Sequence, residues 1–512
     1  MTTVLKSFAI NGIDGYQVEV EISTLTGQPS MAIVGLGDTA VKEAKQRIES
    51  ALITAGYEFP KMKIVINLAP GDIKKSGTHF DLPMAVGLLN ASKQIQLDDL
   101  QRNNYAFLGE LSLNGQIRPV KGVLPMAIKA RQTGLTHLIV PTGNIREAQL
   151  VEGLEVLGFS RLERLVEYIQ GKGRADPIPP EEEAIKPFKT IDFRDVLGQE
   201  LLIESIVLAS AGGHNMLMSG TPGCGKSMIA KRIPTILPEL SREEALEVTK
   251  IYSVAGFLYQ QDRLITERPF RSPHHNASLN ALVGGGSPVV PGEISLAHHG
   301  VLFLDEIAEY SKKTLDAMRQ PIEDKKVTIA RVRHSVTYPC NFMLVAAMNP
   351  CPCGYFGQGR CRCSDYEVLK YRQKISGPIL DRIDIQKNVR PVNITRLSPE
   401  DIGRSSEELR QRVQEARKKQ QERFAHLTGI NCNAQMNEAM VKEFCPLQRD
   451  SLEILQLAHQ QFEFSARTYH KLLKIARTSA DLDGAKTIEQ SHILTALSCR
   501  EMDKEQSKLL VV

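Results

Sequence analysis

Eight consecutive residues, Gly220, Thr221, Pro222, Gly223, Cys224, Gly225, Lys226 and Ser227, have the form G-x-x-x-x-G-K-S, a pattern suited to cradling a polyphosphate. Its glycines let backbone N–H groups converge on phosphate oxygens, and a helix starting at its end adds partial positive charge. Lys226 would reach the β- and γ-phosphates, and the Ser227 hydroxyl would hold Mg²⁺. Further on, the apolar run Val301-Leu302-Phe303-Leu304 ends in Asp305 and Glu306. Asp305 would sit beside the metal, and Glu306 would orient and deprotonate an attacking water. An acidic pair after an apolar strand is common by itself; following a glycine loop, it points to ATP hydrolysis.

The elements around these residues have the required character. Asn215-Met216-Leu217-Met218-Ser219 reads as a short buried strand, and Met228-Ile229-Ala230-Lys231-Arg232 suits the opening of a helix. A third apolar strand, Phe342 to Met348, ends at Asn349, an amide placed to bond the γ-phosphate or the water, or simply to cap the strand before Pro350. Arg382 stands among acids in Leu380-Asp381-Arg382-Ile383-Asp384. It suits a local salt bridge or, in a ring, an arginine finger toward a neighbour's γ-phosphate. Arg467, at the start of a helix, is the best second phosphate sensor, with an ordinary surface arginine as the alternative.

Two further groups invite other chemistry. Cys351, Cys353, Cys361 and Cys363 offer four soft ligands within thirteen residues, joined by a glycine-rich loop that would close around one Zn²⁺. Their C-x-C spacing is tighter than the usual C-x-x-C, and free thiols are the alternative. The segments 326–331 and 335–339 read as a hairpin with Arg331, Arg333 and His334 near its tip, suited to a nucleic-acid phosphate backbone. The pairs His274-His275 and His298-His299 are expected to be structural, because consecutive side chains on a strand face opposite ways.

The 512 residues suffice for about three domains. Residues 1–170 alternate apolar strands (31–35, 63–68, 137–141) with amphipathic helices (41–48, 126–131) and read as an α/β domain. Residues 171–190, rich in proline and acid, read as a linker; 191–390 form the nucleotide-binding core and 391–512 a helical lid domain. A segment around Arg268-Pro269-Phe270-Arg271-Ser272-Pro273 looks like an insertion projecting from that core. A formal charge of +4 is too small to argue for nucleic acid, so any basic surface must be local. With no apolar run of membrane-spanning length and no signal-peptide core, no membrane association is expected and the location expected is cytoplasmic. Nine cysteines then suggest reduced thiols or metal ligands, not disulfides.

The first domain resembles the proteolytic domain of Lon proteases, whose α/β fold is of the ribosomal S5 domain 2-like type. Pro70-Gly71-Asp72-Ile73-Lys74-Lys75-Ser76-Gly77 is similar to the segment carrying Lon's nucleophilic serine, and the stretch from Gly109-Glu110-Leu111 to Gly134 to the one carrying its lysine. In that register Lys75 takes the serine's place, and Leu124, with Met126 nearest, the lysine's. The catalytic dyad is therefore missing, and assembly or substrate contact is the expected role.

Glycine loop, insertion, acidic pair, hairpin, sensor asparagine, arginine finger and helical lid follow one another in an order that resembles the AAA+ P-loop ATPases of the magnesium-chelatase-like clade. Asn349-Pro350-Cys351-Pro352-Cys353-Gly354, Ser376-Gly377-Pro378-Ile379-Leu380-Asp381-Arg382-Ile383-Asp384 and the Lon-like domain narrow the resemblance to the YifB/ComM proteins. For ComM, it implies a homo-hexameric, ATP-driven DNA helicase acting on single-stranded and branched DNA, promoting branch migration in natural transformation. A chelatase-type metal-insertion subunit and a protein-remodelling or regulatory ATPase are the alternatives. Stimulation of turnover by DNA, by porphyrin or by neither separates the three.

Overall fold

A computed structural model describes residues 2–178, 191–258, 264–331, 334–391, 403–427, 429–462 and 464–502, the side chains of Arg331 and His334 excepted. Of the expected linker, the part from 179 onward lies outside these residues. The chain is mixed α/β and divides into two compact units, one made of 1–185 with 245–265 and 286–291, the other of 186–244, 266–285 and 292–512.

The first unit is built on a seven-stranded sheet. Its strands are β1 (Thr2–Asn11), β2 (Asp14–Leu25), β3 (Ser30–Val34), β4 (Lys63–Ala69), β5 (Tyr105–Phe107), β6 (His137–Pro141) and β7 (Glu155–Phe159), in the order β3-β4-β2-β1-β5-β6-β7. Gly12, at φ 67°, makes the tight turn that lets β1 and β2 pair antiparallel. β1–β5–β6–β7 run parallel. The helix Asp81–Ala91 is buried almost all round, and a Cβ on its Gly87 would come within 2.3 Å of Ile22 Cδ1, so this glycine lets helix and sheet approach closely. Segment 245–265 belongs here: the Gly122 N–H donates to the Ser253 carbonyl, and Ser253 Oγ to the buried Glu147. Lys75, Leu124 and Met126 are all fully buried, so neither position of the Lon register presents a nucleophile or base to solvent.

The second unit holds a five-stranded parallel sheet of β8 (Met216–Gly220), β9 (Phe270–Arg271), β10 (Val301–Leu304), β13 (Met343–Met348) and β14 (Ile385–Val389), in the order β9-β10-β13-β8-β14. Every residue of β8, β10 and β13 is buried, as expected of parallel strands covered on both faces. Between β10 and β13, β11 (Lys326–Arg331) and β12 (His334–Pro339) form an antiparallel hairpin. The helices Ser406–Phe424, Ala466–Leu482 and Gln490–Ser498 contribute Leu409, Val413, Leu472, Ile475 and Ile493 to the same hydrophobic core as β8 and β10. That core fixes the helices relative to the sheet. No helix among the described residues is long and apolar enough to cross a membrane.

Candidate active site

At the C-terminal edge of the parallel sheet, β8 runs into the glycine loop, and a helix opens at Lys226. Gly223 and Gly225 have φ of 76° and 90°, values that glycine adopts without strain. A Cβ on Gly220 would lie 2.7 Å from the Val389 carbonyl oxygen, so the loop passes close to the end of β14. The Lys226 amine is buried and donates to the carbonyls of Gly220 and Thr221 at 2.6 and 3.1 Å and to Asn349 Oδ1 at 3.3 Å. The Ser227 hydroxyl donates to Asp305 Oδ2 at 2.6 Å. Thus three parallel strands, β8, β10 and β13, deliver the lysine, serine, aspartate and asparagine singled out in the sequence to one point.

Glu306 follows Asp305 but is exposed, and its φ of 49° is costly for a residue with a Cβ. Strain of this kind is kept where the surroundings enforce it, often at functional sites. The Glu306 carboxylate lies within 3.5 Å of His275 Nδ1. Tyr310 secures the His275 segment by donating to the Pro273 carbonyl at 2.6 Å.

The two histidine pairs lie in turns and irregular backbone, not in strands. Their rings therefore pack together, with centroids 4.2 Å apart in His274–His275 and 3.9 Å in His298–His299, where strand geometry would have separated them. His275 is the residue that sequence reasoning missed. In the sequence it stands only as half of a histidine pair expected to be structural.

Arg382 and Arg467 lie elsewhere. Arg382 pairs with Glu323 at 2.6 Å, and Arg467 approaches the same Glu323 oxygen at 3.7 Å and Asp381 at 4.0 Å. The Arg382 carbonyl accepts from Asn215 Nδ2 at 2.9 Å, and Asn215 immediately precedes β8. Both arginines are thus at the N-terminal edge of the sheet, one strand length from the glycine loop; five residues of strand span roughly 16 Å. They border a cavity of about 570 Å³ that Lys325, Arg417, Lys471 and Lys474 also line. On its floor, burial pushes the Asp384 carboxyl up, but the His214 hydrogen bond and the charges of His214, Lys471 and Lys474 outweigh it and hold Asp384 at about 2.

The four cysteines form one group. Cys351 Sγ lies 3.3 Å from Cys353 Sγ and 3.9 Å from Cys361 Sγ; Cys353 and Cys361 are 3.7 Å apart, and all four sulfurs fall within 4.8 Å of one another. None of the chain's cysteines is in a disulfide. At the hairpin tip, Arg331 and His334 are register partners in the backbone, and Arg333 lies outside the described residues.

Three family models match the chain: "Magnesium chelatase, subunit ChlI" over residues 192–397, "Subunit ChlI of Mg-chelatase" over 18–144 and "Magnesium chelatase, subunit ChlI C-terminal" over 403–500. The chain is 40% identical over 508 residues to the uncharacterized protein YifB of Salmonella typhimurium, covering 98% of this chain and 97% of YifB. It is 38% identical over 518 residues to the competence protein ComM of Haemophilus influenzae, covering 99% of both. Lon protease 2 of Bacillus subtilis matches at 28% identity over 204 residues, 36% of this chain and 34% of the protease. With a glycine loop and an acidic pair at the ends of two parallel strands of one sheet, and relatives aligned from end to end, this chain belongs to the YifB/ComM family of magnesium-chelatase-like AAA+ ATPases.

Proposed function

We propose that this chain is an ATP-driven DNA motor, a homo-hexameric ring that separates strands and migrates branches in recombination intermediates during natural transformation. The observation that carries the ring is the position of Arg382 and Arg467, which share Glu323 at the edge of the sheet opposite their own glycine loop. Arginines placed there would serve the γ-phosphate of a neighbouring copy, as arginine fingers supplied in trans do. The DNA reading is supported by full-length similarity to a protein named for competence.

ATP and Mg²⁺ fit the residues present. Ser227 and Asp305 bring a hydroxyl and a carboxylate together, oxygen donors of the kind Mg²⁺ takes. The Lys226 amine is now satisfied by loop carbonyls and Asn349, all of which a phosphate oxygen would replace as acceptor. When bound, the metal neutralises charge on the transferring phosphoryl group. In the proposed cycle Lys226 holds the β- and γ-phosphates, Glu306 swings from His275 to take a proton from the attacking water, and Asn349 orients that water. Arg382 and Arg467 of a neighbour stabilise the developing charge.

In this reading the chain is cytoplasmic, and the hairpin residues Arg331, Arg333 and His334 grip the phosphate backbone without regard to sequence. Residues 1–170 keep a Lon-like, ribosomal S5 domain 2-like fold without its catalytic dyad and serve assembly or substrate contact. After a linker at 171–190, residues 191–390 form the AAA+ core and 391–512 the helical lid. The four cysteines hold Zn²⁺. The test is the ATP turnover rate with and without single-stranded and branched DNA across a salt series. Stimulation that falls steeply with salt is expected; turnover indifferent to DNA would move the reading to a protein-remodelling or chelatase-type ATPase.

A further inference from the structure

The four cysteines stand in a telling place. Cys351 follows Asn349 by two residues, and Cys363 precedes Ser364, which caps the helix Asp365–Arg372 with a full capping box. That helix brings the chain back to its starting point. Arg372 Nε donates to the Pro350 carbonyl at 3.4 Å, and the Arg372 guanidinium lies over the Phe356 ring at 5.3 Å. Burial pushes the Tyr371 hydroxyl up to about 12, with the Asn349 backbone pulling the other way. The loop also touches the phosphate loop: a Cβ on Gly354 would come within 2.7 Å of Pro222 Cδ, so only glycine fits against that proline. The loop thus leaves Asn349, leans on Pro222 and returns to Asn349.

The sulfur positions decide what closes the loop. Four thiolates at 2.3 Å from a tetrahedral ion are separated from one another by about 3.8 Å. The separations of 3.3, 3.7 and 3.9 Å bracket that value. They are far from the 2.05 Å or so of a disulfide. The other cysteines, such as Cys224 and Cys340, are buried and form no such group among the described residues.

We propose that one Zn²⁺ bound by Cys351, Cys353, Cys361 and Cys363 acts as a clip that fixes Asn349 and the Pro222 side of the phosphate loop relative to each other, making ATP turnover dependent on metal occupancy. This rests on the nucleotide site described above and adds a positioning element to it. Binding deprotonates the four thiols, releasing protons to solvent, and involves no change of oxidation state. With the clip released, Lys226 keeps its bonds to the Gly220 and Thr221 carbonyls, and the glycine loop still binds nucleotide. Asn349 loses its fixed position. The expected signature is a fall in kcat of about tenfold or more, the scale of losses when supports around a site are removed, with nucleotide affinity changed much less.

The test uses the full chain. Zinc is measured per chain in the purified protein, and cobalt is substituted to read the sulfur-to-metal charge-transfer absorption of a tetrahedral thiolate site. Nucleotide affinity and kcat are then compared between wild type, Cys361→Ser, and wild type stripped with a chelator and reloaded with zinc. One zinc per chain, lost in Cys361→Ser, with kcat reduced at near-constant affinity and restored on reloading, is the expected result. Protein that carries no zinc overturns the inference whether or not any variant folds, and so does a stripped protein with unchanged kcat. The metal content is read without nucleotide, so failure of the clip and failure of the ATPase reading separate: zinc-loaded wild type without turnover would overturn the coupling together with the nucleotide site.

Discussion

The Lys226 amine donates to Asn349 Oδ1 at 3.3 Å, joining the phosphate loop at the end of β8 to the end of the neighbouring strand β13. The contact puts the proposed phosphate-binding cation and the proposed water-orienting amide on the same few ångströms of space. Lys226→Ala should abolish nucleotide binding. Asn349→Ala should keep binding within a fewfold while kcat falls by about 10²-fold, the typical scale for one positioned polar group. Fluorescent-nucleotide titration beside steady-state turnover checks both, and a large loss of affinity in Asn349→Ala would contradict the assignment.

Glu306, held at φ 49° and facing His275, is assigned as the group that deprotonates water. Glu306→Gln should bind nucleotide normally and lose turnover by at least about 10²-fold. His275→Ala should leave binding intact and change kcat only severalfold, since His275 touches the proposed base, Glu306, and not the glycine loop. Turnover of Glu306→Gln at the parent rate would show that another residue is the base.

In the proposed ring, Arg382 and Arg467 serve sites shared between copies. Arg382→Ala and Glu306→Gln should each be inactive alone. Mixed before assembly, they should regain part of the wild-type rate, because some interfaces then pair an intact base with an intact arginine. A mixture as inactive as its components would place both residues in one chain's own site.

Asp384 gives the second unit a defined acid sensitivity. Its carboxyl is held at about 2 in the folded chain, below the ordinary value, so it contributes stability that is fully present above about pH 4 and lost as pH falls through 2. Asp384→Asn should cost on the order of 2 kcal/mol at pH 7, with the difference from wild type shrinking toward zero near pH 2. Urea denaturation over that pH range measures it.

The readable parts of this molecule are those whose cause is local. Gly220 to Ser227 and Val301 to Glu306 announce themselves because a glycine loop and fully apolar strands are patterns of neighbouring residues, and a parallel sheet brings such strand ends to one edge. His137–Pro141 is a strand with the bounds its pattern suggests, and Arg467 stands in the first turn of its helix. The contact of His275 with Glu306 depends on a strained backbone angle and on where an irregular segment is pinned by Tyr310, which no spacing encodes. Glu323 joins Arg382 to Arg467 across segments far apart in the chain. The grouping of 245–265 with the first unit hangs on Ser253 meeting Glu147, a long-range hydrogen bond between unremarkable residues.

The most direct measurement is displacement of a labelled strand from a branched DNA substrate, followed beside ATP consumption in the same reaction. The account predicts displacement that requires hydrolysable ATP, proceeds in step with turnover, and vanishes in Glu306→Gln although that variant binds both nucleotide and DNA. Turnover in the presence of branched DNA without any displacement would contradict it.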